Sequence, residues 1–232
     1  MRKYILAVMA VMPAGFSGGI HAADKYGDFG GMAAENPEGI AYSVISENRG
    51  APVTVFAPHG GLLEPGTDLI ARECAGDSWN FYAFIALDSA TARSLHVTAA
   101  HYDEPRALAL ARTSVIGLAM HDQRETGDVI CLGGGNAGLR AETAEELKAA
   151  GFSVEAPCGR LPGVSPDNIV NRAEKQGLQF EFSAGISKEL ETNSRERARF
   201  CSVLRQTVTR YLRRFSMGFR PPRATARQRR HY

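Results

Sequence analysis

Short apolar runs bounded by glycine, proline and small polar residues recur along the chain, alternating with longer segments whose apolar positions repeat at helical spacing. Residues 39–45, 53–56, 80–86, 94–99, 114–120, 128–132, 152–156 and 178–183 are predicted strands. Residues 65–75, 106–112, 141–150 and 188–214 are predicted helices, the last one with room for a break. Ser114-Val-Ile-Gly-Leu-Ala-Met120 is almost wholly apolar, as expected of a central strand covered on both faces. Leu178-Gln-Phe-Glu-Phe-Ser183 alternates instead, which puts Gln179, Glu181 and Ser183 on one face. Strands interleaved with helices predict an α/β fold, a single three-layer open sandwich with a mixed central sheet.

The two ends depart from this pattern. Met1-Arg-Lys3, the apolar run Ile5 to Met12 and the small residues Ala22-Ala23 have the order of a secretory signal peptide, so residues 1–23 are set apart from the fold. That apolar run is shorter than the roughly 20 residues a membrane span requires, and no transmembrane segment is expected in the mature chain. Beyond Glu196 there is no acidic residue, and the chain runs through Arg197 to Arg230. The net charge of +2 over 232 residues therefore hides a net acidic body and a basic end. The expected division is residues 1–23 as leader, 24–200 as the α/β domain, and 201–232 as a helix end with a basic, disordered tail. Export to the periplasm or medium would expose Cys74, Cys131, Cys158 and Cys201 to oxidation, giving one or two disulfides, with three pairings open for a full set. Cys131, in an apolar run, could instead remain a buried thiol.

Candidate chemistry gathers on the loop after residues 53–56, Ala57-Pro-His-Gly-Gly-Leu-Leu-Glu-Pro-Gly-Thr67. It sets an imidazole, His59, and a carboxylate, Glu64, close together just past a buried strand. Imidazole nitrogen and carboxylate oxygen suit Zn²⁺, whose catalytic sites take three protein ligands and leave one position for water. His121, at the end of the most apolar strand, is the best-placed third ligand, with His96 and His101 as further candidates. Glu181, on an otherwise apolar strand, is the candidate general base, and Asn171 with Arg172 offer an amide and a guanidinium for a substrate carboxylate. Two readings of other classes compete. Gly133-x-Gly135-x-x-Gly138, followed by Glu155, matches a dinucleotide fingerprint. The basic tail on an inactive hydrolase fold would make a non-catalytic module for an anionic envelope polymer.

The ordered segments Ala57 to Thr67, Leu95-His-Val-Thr98 with Asp103-Glu-Pro105, His121 at its strand end, Leu132-Gly-Gly134, Asn168-Ile-Val-Asn-Arg172 and Leu178 to Ser183 resemble the motifs of the phage-type poly-γ-glutamate hydrolase family, over residues 24–190. The resemblance implies a zinc carboxypeptidase-like fold that hydrolyses γ-glutamyl amide bonds. It further implies His59, Glu64 and His121 as zinc ligands, Glu181 as the catalytic carboxylate, and Asn171 and Arg172 as holders of a glutamate α-carboxylate. The implied partner is a γ-glutamyl peptide or polymer rather than nucleic acid, and the expected working unit is a monomer. Two departures stand out. Asp122 follows the third ligand where the family usually has glycine, which is expected to add negative charge beside the metal. Ser183-Ala-Gly-Ile-Ser-Lys188 replaces the arginines that usually follow the catalytic strand, which points away from a polyanionic substrate.

Overall fold

The computed structural model describes residues 24–218; the expected leader and the end of the basic tail lie outside them. Its centre is a seven-stranded mixed sheet in the order β1-β3-β2-β4-β7-β5-β6. The strands are β1 (Tyr42–Glu47), β2 (Val53–Gly61), β3 (Asn80–Ala86), β4 (Ile116–Asp122), β5 (Val129–Gly133), β6 (Ser153–Glu155) and β7 (Gly177–Phe182). The helices are α1 (Phe29–Glu35), α2 (Thr67–Ala75), α3 (Pro105–Thr113), α4 (Ala137–Ala149), α5 (Ala184–Thr192) and α6 (Ser194–Gly218). β3, β2, β4 and β7 run parallel, while β1 and β5 join antiparallel.

Two separate apolar clusters make this a three-layer sandwich. One face of the sheet packs on α2, α4, α5 and α6 through Ile70, Leu139, Leu147, Leu190, Phe200 and Leu204. The other packs on α1 and α3 through Phe29, Met32, Leu110 and the aromatic rings of Tyr82 and Tyr102. Central strands buried on both faces must read as continuous apolar runs, and β2 and β4 do so, which is why the sequence pattern located them.

The predicted helix over 188–214 is two helices meeting at Asn193, whose Oδ1 accepts from the Arg195 and Glu196 amides and so starts α6. The packed domain continues past residue 200, because Leu204 and Val208 are fully buried in the core. Residues 94–99 are not a strand. A 3₁₀ turn (Ala92–Leu95) is followed by an extended segment whose Thr98 amide donates to the Asp24 carboxylate rather than to a neighbouring strand. All four cysteines are paired, Cys74 with Cys201 and Cys131 with Cys158, so Cys131 is not a free thiol. Among the described residues no helix is long and apolar enough to cross a membrane.

The glycine run after β5 does not form a dinucleotide site. α4 starts at Ala137, inside the run, and not at 141 as predicted. The amides that would cradle a pyrophosphate are already engaged: Gly134 donates to the Pro162 carbonyl, Gly135 to Asn171 Oδ1 and Asn136 to the Gly177 carbonyl. The glycines are needed for close approach of backbone, since a Cβ on Gly134 would stand 2.3 Å from the Gly177 oxygen.

Candidate metal centre

β2 is followed by α2 and β3 on one side, whereas the connection through α3 leads to β4 on the other side of β2. The chain thus reverses direction across the sheet between β2 and β4. Open α/β sheets bind ligands in the crevice that such a reversal opens at the carboxyl ends of the strands. His59 lies near the carboxyl end of β2 and His121 near that of β4, with Glu181 directly opposite His121 on β7.

The segment from His59 to Glu64 is a tight return. The Glu64 amide donates to the His59 carbonyl at 2.8 Å, and Leu62 donates to the Ala86 carbonyl at 3.0 Å. Gly61 turns there with φ +67°, and a Cβ on it would lie 2.5 Å from the Ala86 oxygen, so only glycine fits without movement. Pro65 and Gly66 precede α2, which begins at Thr67, two residues later than predicted.

His59, Glu64 and His121 each offer a ligand atom, and these atoms all lie within 4.8 Å of one another. All three side chains are buried. His59 Nε2 lies 2.9 Å from the Val97 carbonyl, which can only accept, so Nε2 carries the proton and Nδ1 presents its lone pair inward in the neutral ring. That Nδ1 faces Glu64 Oε1 at 2.9 Å and His121 Nδ1 at 3.2 Å. Glu64 Oε2 is 3.4 Å from His121 Nδ1 and accepts the Asp122 amide at 3.1 Å. Lone pairs of this number converging in a buried space require a shared cation, either a proton or a metal ion. His121 Nε2 is moreover buried without a hydrogen-bond partner, the sort of orphaned group that native interiors rarely leave. Two imidazoles and one carboxylate are the donor set of a zinc site, and the residues present fit that ion.

The electrostatics agree. Burial alone would raise the Glu64 pKa, but the His59 and His121 charges and their hydrogen bonds outweigh it and hold the carboxyl well below the usual range. Burial would lower His121, but Glu181 and Glu64 prevail and raise it. Glu181 is pushed up to about 7, first by burial and then by the Glu64 charge, against opposing pulls from His121 and the Gln179 hydrogen bond. Its Oε1 accepts from Gln179 Nε2 at 2.5 Å, and Gln179 Oε1 accepts from Asn168 Nδ2 at 2.7 Å. The period of two in β7, visible in the sequence, placed Gln179 beside Glu181; its role as the amide that orients the carboxylate was not read from it.

The other candidates are placed as follows. His96 lies tilted against His59 with ring centroids 4.3 Å apart, and its Nδ1 meets Asp24 Oδ1 at 2.5 Å, so it braces the His59 ring. His101 is exposed at the following turn. Asn171 is buried and its amide is fully engaged in bracing loops, since its Oδ1 accepts from Gly135 and its Nδ2 donates to the Gly163 and Ser165 carbonyls. Arg172 bonds the backbone and carboxylate of Asp167. The segment after Arg172 runs beside Ser114 and Val115, before the start of β4, and the hydrogen bonds of this pair go to the surrounding loops and to Asp167 rather than to the histidines. Asp122 adds its charge near Glu64 but not toward the histidines: burial first, and then the Glu64 charge, raise its pKa. Strand alternation turns its side chain to the opposite face, where Oδ1 accepts the Arg124 amide and Oδ2 the Ser187 hydroxyl. A second cluster, Cys131, Glu155 and Cys158, has no thiolate to offer, because its sulfurs are joined.

A family model described as poly-gamma-glutamate hydrolase matches residues 26–213. UPF0714 protein YndL of Bacillus subtilis (strain 168) is 37% identical over 175 residues, covering 74% of this chain and 68% of YndL. The SPbeta prophage-derived UPF0714 protein YoqZ of the same organism is 32% identical over 172 residues, covering 73% of this chain and 62% of YoqZ. Of solved structures, a bacteriophage poly-gamma-glutamate hydrolase aligns with a TM-score of 0.76 at 23% identity, over 82% of this chain and 98% of its own. YndL in an apo, zinc-free form aligns with a TM-score of 0.74 at 31% identity, over 81% of this chain and 98% of its own.

Proposed function

The chain belongs to the poly-γ-glutamate hydrolase family, and from that premise we propose that it is a zinc-dependent hydrolase of γ-glutamyl amide bonds, in a polymer or a shorter γ-linked peptide. The observation that carries the metal is the convergence of His59 Nδ1, His121 and Glu64 in a buried pocket with an unpartnered imidazole nitrogen. That a relative with 31% identity is described in a zinc-free apo form supports the choice of zinc.

His59, Glu64 and His121 would hold the ion, which when bound supplies a Lewis acid that makes water acidic near neutral pH and polarises an amide carbonyl. Glu181, opposite His121 in the sheet, accepts the proton of the attacking water and returns it to the leaving amine. A base of this kind works best with a pKa near the operating pH, and burial moves Glu181 toward that range. Gln179, held by Asn168, fixes the orientation of the Glu181 carboxylate. His96, anchored by Asp24, keeps the His59 ring in place, and Val97 fixes its tautomer. Two disulfides in one domain support an exported, extracytoplasmic protein.

The test is metal analysis of purified protein together with mass-spectrometric assay of γ- and α-linked glutamyl peptides. The expected result is about one zinc per chain, loss of metal in His59→Ala and His121→Ala, and cleavage of γ-linked peptides. Unchanged metal content in both variants would refute the ligand assignment.

A further inference from the structure

The cations expected after β7 are absent from this sequence, yet an arginine reaches the same mouth from elsewhere in the chain. We propose that Arg160 is the specificity residue that receives the substrate's α-carboxylate, with Glu125 occupying it until substrate arrives. This assignment rests on the γ-glutamyl hydrolase reading given above.

Its geometry follows from the sheet. His121, Glu181 and Cys131 are directly paired across β4, β7 and β5, so their side chains share one face. The Cys131–Cys158 disulfide therefore pins the loop after β6 to that face, beside Glu181. The Cys158 amide donates to the Leu132 carbonyl, and the Gly159 amide to Glu155 Oε1, which fixes the loop on both sides of the disulfide. Arg160 stands two residues further on. The β4 pairing continues one step past the strand, since the Gln123 amide donates to the Phe182 carbonyl at 3.0 Å. Gln123 is thus on the His121 face, one repeat of about 7 Å closer to the open end. Arg160 Nη2 donates to Gln123 Oε1 at 2.5 Å, which holds the guanidinium just past the ends of β4 and β7, the strands that carry His121 and Glu181.

The guanidinium also pairs with the Glu125 carboxylate. Both side chains are largely exposed, at 40% and 55%, and a pair so placed is held weakly enough to exchange one carboxylate for another. A guanidinium tethered by one amide and facing a replaceable carboxylate is a ready receptor for a planar anion, to which arginine can offer two parallel N–H groups. A γ-linked glutamyl chain carries one free α-carboxylate per residue beside the scissile amide, so it presents that anion next to Glu181. An α-linked backbone has its carboxylates at the ends of side chains instead.

The experiment uses a synthetic γ-linked tetraglutamate and the same peptide with its α-carboxylates converted to carboxamides. Binding to metal-free protein is measured by calorimetry, and KM and kcat are measured on zinc-loaded protein. The expected outcome is that the wild type favours the carboxylate peptide by about tenfold in both affinity and KM, the worth of a modest charged hydrogen bond. Arg160→Gln abolishes that preference with the loss falling on KM rather than kcat, and Glu125→Gln lowers KM by removing the competitor. A wild-type carboxylate preference that persists in Arg160→Gln overturns the assignment. A wild type that neither binds nor cleaves either peptide removes the γ-glutamyl reading and this inference with it.

Discussion

Replacing Gln179 with methionine is the sharpest probe of the proposed general base, because it keeps volume while deleting the amide between Asn168 and Glu181. The hydrogen bond to Glu181 favours the ionised carboxylate. A bond to a charged group contributes about 1.5–3 kcal/mol, and at about 1.4 kcal/mol per pKa unit its loss raises the Glu181 pKa by about one to two units. Glu181 must be ionised to accept a proton, so the acid limb of the kcat/KM profile moves to higher pH by that amount. Activity on the limb falls by about 10- to 100-fold, whereas the plateau at higher pH falls much less. The assay is kcat/KM against pH for wild type and variant at matched zinc content, with folding checked by thermal melting. The unpaired Asn168 amide should lower stability by about 1–3 kcal/mol, a melting shift of about 2–12 °C for a domain of this size. An acid limb superimposable on that of the wild type, in a folded and metal-loaded variant, would show that Glu181 is not the group that titrates in catalysis.

Other outcomes follow from the same residues. Glu181→Gln keeps zinc and loses turnover. In metal-free protein it also removes a carboxyl whose pKa is about 7 when folded and near 4.5 when unfolded. Such a group destabilises progressively as pH rises from the lower value through the higher, so the variant is the more stable above pH 7, by at most about 3.5 kcal/mol, and equal near pH 4, as denaturant melts at both pH values will show. Gly61→Ala forces a Cβ against the Ala86 backbone at positive φ; it should cost about 2 kcal/mol or more and weaken zinc binding by moving Glu64, measured by competition with a chelator. Replacing Cys74 and Cys201 by alanine should lower stability by up to about 5 kcal/mol for so long a loop, and the Cys131–Cys158 pair by up to about 3.5 kcal/mol, measured in urea.

Much of the candidate centre was legible because its residues sit where a periodic signal stops. His59 and His121 close apolar runs, Glu64 sits between glycines and a helix start, and Glu181 breaks an apolar alternation, so each was conspicuous locally. What escaped depends on contacts between distant parts of the chain. Residues 94–99 have strand-like composition, but Asp24, 74 positions away from Thr98, takes the amide that a ladder would need. Asn171 and Arg172 have the chemistry of an anion site, but their side chains are engaged by the surrounding loops and by Asp167. Gln179 and Asp122 could have been read further. Strand alternation alone puts one beside Glu181 and turns the other away from the histidines, whereas their partners Asn168 and Ser187 come from separate elements. The glycine run matched a fingerprint for a reason internal to the fold, since its residues are small where two backbones touch.

The bond between Cys74 and Cys201 spans 127 positions, and within that span lie His121, Glu181 and both strands that carry them. A protease that cuts any surface turn between those two cysteines cannot release a fragment, because both new ends stay tethered to the same sulfur bridge. A single nick there is then a scar rather than a severance, visible on a gel only after a reductant is added.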